Sequence, residues 1–450
     1  MMDTPLCDFV NAYRERATLR LHMPGHKGRP FWGLEDRDIT EIAGADELYR
    51  AQGVILQSEK NAASLFGTEK TVYSTEGSSL CIRAMVHLAL LWGKKQGRKP
   101  VILAGRNAHR AFLSAAALLD AQVEWLYPEG ESTLISCLIG GEGLGRALDR
   151  MEEKPAAVYI TSPDYLGNRA DIAALSKVCG SRGVLLLVDN AHGAYLKFLP
   201  KDQHPITLGA DMCCDSAHKT LPVLTGGAYL HIRRGAPAEL KENAERAMAL
   251  FASTSPSYLI MQSLDRCNAY LADRFSKDLS DLAEKTEAMK IRLRRRGYAL
   301  RGDEPIKLTI AAKQYGYTGD ELHDLLRKEN MECEFSDPDF LTAMLTPQLP
   351  FDALPRLENA LLRVPPRAAI TLLPPRPPKC RSVLSIRQAM LSPARQVPIQ
   401  EAGGCVLADA QAGCPPCVPI VICGEEIDWT AIRCFQYYGI QTVSVVDGYR

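Results

Sequence analysis

The sequence predicts an α/β fold: a mainly parallel sheet covered by helices on both faces, followed by a smaller α+β region. Three observations carry this prediction. Short, wholly apolar runs such as Val184–Val188 alternate with amphipathic stretches over about residues 50–270, as expected for strands buried on both faces. Ala236 to Arg296 is long and helical in pattern, with Leu264, Leu271, Leu279, Leu282 and Met289 on one side. Beyond it, strand-like and helix-like segments mix without regular alternation. The 450 residues are 46% hydrophobic and 24% charged, which is ordinary globular composition and suits two or three domains. With 53 basic and 53 acidic side chains the formal charge is zero, so affinity built on neutralising nucleic-acid phosphates is excluded.

In chain order, Leu6–Arg16 reads as a short amphipathic helix, and residues 22–49, rich in Gly, Pro, His and Asp, read as an ordered arm. Val72–Ser74 precedes a helix pattern at Gly77–Trp92, and Val101–Ala104 precedes His109–Leu119. Val123–Leu126 is a further strand, and Ala156–Ile160 precedes a helix at Ile172–Cys179. Val184–Val188, Met212–Asp215 and Ala228–Ile232 complete the strands of the large domain. Ala299–Ile310 and a helix at Thr318–Glu329 open the smaller region. Six prolines in Val364–Lys379 exclude a regular helix or central strand there and mark a rigid connector. The expected division is an arm at 1–50, a large domain at 51–270 and a smaller C-terminal part at 271–450. No basic n-region and apolar h-region opens the chain, and Ala84–Trp92 is far too short to span a bilayer. A cytoplasmic protein with no membrane partner is expected, its 14 cysteines held as thiols.

Candidate chemistry clusters where strands end. Lys219 lies in DSAHKTLP (215–222), directly after an apolar strand and among small hydroxyl residues. A desolvated lysine amine forms a Schiff base with a carbonyl cofactor. Asp189 ends the apolar run before NAHGAY, at the carboxyl end of a central strand where open α/β sheets bind ligands. A carboxylate so placed needs a cationic partner, and the protonated ring nitrogen of pyridoxal phosphate is one. STEGSS (74–79) joins a strand to a helix, where Gly77 frees the backbone and Ser78 adds a hydroxyl beside an anion. His109, just past a strand, is placed either to stack on a flat ring or to cap the next helix.

Together these pieces resemble the Orn/Lys/Arg decarboxylases of the type I, aspartate-aminotransferase fold of pyridoxal-phosphate enzymes. The matching motifs are LHMPGHKG (21–28), STEGSS (74–79), RNAHR (106–110), VDNAHGAY (188–195) and DSAHKTLP (215–222), with PPCVPIVICGE (415–425) near the end. The resemblance implies a large domain with a seven-stranded-type sheet and pyridoxal 5'-phosphate as cofactor. Lys219 would be the Schiff-base lysine, Asp189 the partner of the ring nitrogen, and His109 the stacking ring. Gly77 and Ser78 would hold the phosphate, Ser216 and His218 would add donors, and His192 would lie in the pocket. Ser253–Tyr258 would approach the cofactor of a partner subunit.

The implied reaction is α-decarboxylation of a small basic amino acid, arginine, lysine or ornithine, to the corresponding amine. His218 or Lys219 would return the proton, and Glu425 would meet the distal cation over a neighbouring site. Because the chain begins almost at the PGHKG arm, the family's N-terminal wing domain is expected to be absent, favouring a homodimer or small oligomer with shared active sites and a role in polyamine biosynthesis. An aminotransferase or lyase, with Arg356, Arg363 or Arg381 taking the substrate carboxylate, and a non-catalytic cofactor binder stay open on the sequence alone. No metal is expected: Cys414 and Cys417 have CxxC spacing, but two prolines separate them and no second ligand pair follows. Cys213 and Cys214, in an apolar strand, read as core.

Overall fold

The computed structural model describes residues 2–128, 133–410 and 417–449. The predicted strands form β1 (Lys70–Ser74), β2 (Val101–Gly105), β3 (Gln122–Leu126), β4 (Ala157–Thr161), β5 (Leu185–Asp189), β6 (Met212–Asp215) and β7 (Ala228–Ile232). They make one seven-stranded sheet in the order β1-β7-β6-β5-β4-β2-β3. Only β7 runs against the rest, pairing antiparallel with both β6 and β1. The carboxyl ends of β1, β2, β4, β5 and β6 therefore share one edge, with Thr161 beside Asp189 and Asp189 beside Cys214.

Alternate residues of β5 explain why that strand is wholly apolar. Leu185 and Leu187 pack with Phe112, Tyr159 and Met212 on one face, and Leu186 and Val188 pack with Val158, Ile160 and Cys213 on the other. Each such side chain contributes about 1.5–3 kcal/mol on burial. Cys213 and Cys214 are fully buried on opposite faces, as expected of core.

A second, antiparallel sheet comprises β8 (Leu300–Arg301), β9 (Lys307–Ala311), β10 (Phe335–Ser336) and β11 (Phe340–Met344), in the order β10-β11-β9-β8. β12 (Ala394–Pro398) and β13 (Thr442–Val446) form a separate antiparallel pair. Ala299–Ile310 is thus two strands rather than one run. The break lies at Gly302: at its φ of +75° a side chain is disfavoured, and a Cβ would stand 2.3 Å from Leu166 O.

The long helical stretch is likewise four helices, Ala238–Glu242, Ala244–Ala249, Tyr258–Asp273 and Phe275–Arg296. Ser257 caps the third by accepting the Ile260 N–H, and Arg274 at φ −132° interrupts the last two. The periodicity continues across these breaks, which is why it reads as one element. A helix at Val54–Phe66, closed by Gly67, was not expected. The proline-rich connector is irregular and hydrogen-bonds the segment that follows β9, through Arg367 N to Tyr315 O and Ile370 N to Lys313 O. No helix among the described residues is long and apolar enough to cross a membrane.

Candidate active site

The shared sheet edge brings most of the expected residues together. Ser78, His109, Asp189, His192 and Lys219 line one cleft, with Thr161 and Tyr165 beside them. Asp189 is only 3% exposed. Its Oδ2 accepts from Tyr159 OH at 3.1 Å, and its Oδ1 accepts from Ala191 N at 3.2 Å and Cys214 Sγ at 3.6 Å. These partners are all neutral, so the buried carboxylate lacks the cation that such a site requires.

Lys219 projects from a one-turn helix, Ala217–Thr220, that follows β6 directly. Its Nζ stands 2.8 Å from His192 Nε2 and 5.9 Å from the centroid of the Tyr165 ring. Burial pulls the amine below its ordinary range, although Asp189 and Glu334 act in the opposite direction. His192 is held well below its usual value, first by burial and then by the two lysine side chains, Lys219 and Lys307, that flank its ring. Lys307 Nζ lies 3.1 Å from His192 Nδ1 and pairs with Glu304 Oε2 at 2.5 Å.

At the β1 end, Ser216 Oγ donates to Ser78 Oγ at 2.8 Å. Ser78 is in the first turn of the Gly77–Lys95 helix, where main-chain N–H groups have no intrahelical acceptor and attract anions. Gly77 contributes differently from a donor. Its N–H is committed to Gly226 O at 2.7 Å, while its φ of +71° and the open space where a Cβ would be leave room for a group to approach. Of the two roles the sequence allowed for His109, the cap is present: its Nδ1 accepts from Ala111 N at 3.1 Å at the start of the Arg110–Leu119 helix, while the residue lines the cleft. Burial lowers its pKa, which favours a neutral, flat imidazole.

Several expectations need correction. His218 is beside Lys219 in sequence but does not line the cleft; its Nδ1 donates to Gly227 O at 3.0 Å. Glu425 is buried in its own turn, where its Oε2 accepts from Ile422 N at 2.9 Å, and it does not line the cleft either. Besides Asp189, the carboxylate that bears on Lys219 is Glu334, which accepts from Tyr165 OH at 3.0 Å. The C-terminal segment lies over this chain's own site: Val418 lines the cleft. Arg106, 1% exposed, holds it by donating to Pro419 O at 2.8 Å and Ile420 O at 2.7 Å. Arg356, Arg363 and Arg381 make exposed pairs with Asp352, Glu329 and Glu426, so none is placed to take a substrate carboxylate in the cleft.

Sequence reasoning missed Thr161, Lys307, Glu304 and Glu334. The only signal was a lysine opening a mostly apolar strand at Lys307. It also missed the wholly buried trio His204, Asp215 and His231 behind the lysine loop. His204 Nε2 is 2.9 Å and His231 Nε2 3.3 Å from Asp215 Oδ2, and Asn190 Nδ2 donates to Oδ1 at 2.6 Å. Burial alone would raise the Asp215 pKa, but the two histidines hold it below the usual range. Hydrogen-bonded this way, the trio ties the residue after Asp189 to the strand that leads to Lys219. Cys405, Cys417 and Cys423 form no ligand cluster among the described residues, and Cys414 lies outside them.

A flat cationic ring bearing a phosphate fits this cleft. Asp189 offers an uncompensated carboxylate, Ser78 and Ser216 offer hydroxyls at a helix start, and Lys219 offers an amine between them. Thr161 Oγ1, buried on the cleft wall, has no partner among the described residues and is available to a bound group.

Comparison with known proteins agrees. The profile of the family described as "Orn/Lys/Arg decarboxylase, major domain" matches residues 4–347. The chain is 29% identical over 465 residues to an arginine decarboxylase of Bacillus subtilis (strain 168), covering 94% of this chain and 91% of that protein. It is 28% identical over 469 residues to the uncharacterized protein YaaO of the same organism, covering 96% and 93%. Among solved structures, the constitutive lysine decarboxylase of Escherichia coli superposes with a TM-score of 0.77 at 16% identity, covering 99% of this chain and 82% of that one. The fold is thus that of type I pyridoxal-phosphate enzymes. The chain belongs to the Orn/Lys/Arg decarboxylase family and is a pyridoxal-phosphate-dependent amino acid decarboxylase.

Proposed function

We propose that this cleft removes the α-carboxylate of arginine as CO₂, leaving agmatine. The observation that carries the reading is the pairing of a desolvated lysine amine with a buried carboxylate across one cleft, Lys219 opposite Asp189. Arginine is favoured over lysine and ornithine because the named curated relatives that match most of the chain are arginine decarboxylases of Bacillus and Halalkalibacterium, at 27–29% identity.

Bound here, pyridoxal phosphate would supply an electron sink for the bond to the departing carboxylate. The residues that would hold it are Lys219, through its amine, and Asp189, toward the ring nitrogen, with His109 beside the ring. Ser78 and Ser216 would take the phosphate beside Gly77, and Thr161 would add a hydroxyl. We assign the distal cation of the substrate to Glu334, the carboxylate near Lys219 on the small-sheet side. Lys219 returns the proton to Cα; His218, engaged by Gly227 O and outside the cleft, does not. Val418 and the segment held by Arg106 keep water from the mouth.

The active assembly is a homodimer or small oligomer in the cytoplasm, supplying polyamine synthesis. In support, Leu19, Leu21, Phe31 and Trp32 of the arm are 79–86% exposed, an apolar surface suited to a second copy of the chain. Sedimentation of the purified protein tests the assembly.

The decisive experiment incubates the holoenzyme separately with arginine, lysine and ornithine and measures agmatine, cadaverine and putrescine by mass spectrometry. Agmatine in excess is the expected result, and formation of a keto acid without CO₂ release would exclude decarboxylation. Lys219→Ala should lose both turnover and the visible absorbance of the bound cofactor.

A further inference from the structure

We propose that Lys307 and Glu304 are positioning residues that fix the tautomer of His192, so that its Nε2–H donates to the Lys219 amine and holds that amine uncharged. The inference rests on the reading of Lys219 as the cofactor-binding lysine, and it concerns the state in which that amine waits for a carbonyl group.

The argument is one of hydrogen-bond parity. His192 stands between two amines, with Nε2 2.8 Å from Lys219 Nζ and Nδ1 3.1 Å from Lys307 Nζ. An ammonium only donates, and a neutral imidazole accepts at one nitrogen only. Two ammonium groups therefore cannot both bond to this ring, and an imidazolium would aim two N–H groups at two cations. One lysine must be a neutral amine that accepts.

The surroundings decide which. Lys307 is 2% exposed at its side chain, ion-paired with Glu304 Oε2 at 2.5 Å and close to Asp164 O at 3.3 Å. Glu304 is fixed in turn by Tyr195 OH at 2.9 Å. Lys307 thus has a carboxylate, a carbonyl and His192 Nδ1 as acceptors, which suits an ammonium. Lys219 makes no ion pair within 4 Å among the described residues; Asp189 and Glu334 act on it from farther away. The polarity is therefore Glu304 carboxylate, Lys307 ammonium donating to Nδ1, and Nε2–H donating to Lys219.

The other groups facing this pair are His109, His218, Cys417 and the Tyr165 ring, which meets the His192 ring edge-on at 4.8 Å. Burial and the nearby cation lower the Lys219 pKa in the same sense. The neutral amine is the form that attacks a carbonyl carbon. The distant small sheet thereby sets the charge state of a lysine on the large one.

The test needs no turnover. Full-length protein stripped of cofactor is labelled with trace acetic anhydride across a pH series, and acetylation of Lys219 is read by peptide mass spectrometry. Glu304→Gln is the discriminating variant. Removing a carboxylate by charge alone would make Lys219 easier to deprotonate and raise its labelling. Under the proposal, loss of that carboxylate reverses the His192 tautomer, and Lys219 becomes the ammonium donor. Labelling near neutral pH should then fall about tenfold, the size of one hydrogen bond to a charged group. Lys307→Arg should retain wild-type labelling.

Unchanged or increased labelling in folded Glu304→Gln overturns the proposal. Should that variant fail to fold, Glu304→Gln with Lys307→Met leaves no unpaired charge, and unchanged labelling there overturns it equally. The two readings fail separately: a holoenzyme without a Lys219-dependent visible band would sink the cofactor assignment, while an intact band with unresponsive labelling would sink only the relay.

Discussion

Replacing Arg106 by methionine should release the C-terminal segment from the cleft without unfolding the sheet. Arg106 is 1% exposed and donates to Pro419 O and Ile420 O at 2.8 and 2.7 Å, with its guanidinium 5.8 Å from the Trp125 ring centroid. A hydrogen bond from a charged group contributes about 1.5–3 kcal/mol, so the pair contributes about 3–6 kcal/mol. Methionine keeps the apolar stem and removes only the fork. At the lower bound, the opening equilibrium of residues 417–425 rises about 100-fold. Amide hydrogen exchange reads this directly, at Ile422 N, Gly424 N and Glu425 N, bonded to Glu425 Oε2, Leu407 O and Ile422 O. Those amides should exchange about 100-fold faster, while amides of β5 stay as protected as before. Glu425 should become harder to ionise, because burial already pushes its carboxyl up and Arg106 is what pulls it back. With Val418 no longer held on the cleft wall, the KM for substrate should rise more than kcat falls. Unchanged exchange at all three amides would refute the view that Arg106 pins this segment.

Three further outcomes follow from the same geometry. Asp189→Asn keeps the shape of a 3% exposed side chain but removes its charge; kcat should fall about 100-fold or more and the visible spectrum of the bound cofactor should change. Glu334→Gln should raise the KM for arginine about tenfold or more with a smaller change in kcat, the pattern of a lost contact to a distal cation. Glu59, pushed up to about 8 by burial, is protonated in the native state at neutral pH, with its Oε1 accepting from Tyr73 N. Its contribution to stability is full below its ordinary pKa and is lost as pH rises toward 8, so Glu59→Gln should match the wild type near pH 4.5 and exceed it increasingly up to pH 8, by about 3–5 kcal/mol in urea unfolding. A pH-independent difference would contradict this.

The parts of the site legible in the sequence were those a local pattern encodes. Asp189 announces itself by ending an apolar run, Lys219 by following an apolar strand, and His109 by opening a helix. Glu304 and Glu334 carry no such mark, and Lys307 only its place at the start of a mostly apolar strand. They reach the cleft only because the small sheet packs against the loops at Asp164 and Tyr165, through contacts that span more than a hundred residues. The same limit explains Glu425: its loop was recognisable, but the direction of its carboxylate depends on the turn at Ile422. In the fold, apolar alternation located every strand of the large sheet, while helix ends were obscured wherever one amphipathic phase ran on through a cap, as at Ser257 and Arg274.

The reversed direction of β7 fixes the length of the lysine loop. Because that strand starts where β6 finishes, residues 216–227 leave and rejoin the sheet at the same rim, with Gly226 O clasped by Gly77 N and Gly227 O by His218 N. A Cβ at Gly226 would come 2.8 Å from Thr75 O, and one at Gly227 would come 2.2 Å from Val223 Cγ1, so the seam leaves no slack. An inserted residue would have to bulge toward the reactants and a deleted one would drag the amine away from them. Homologues should therefore vary freely in the outer connections of this fold while keeping the spacing from Asp215 to Gly227 unchanged.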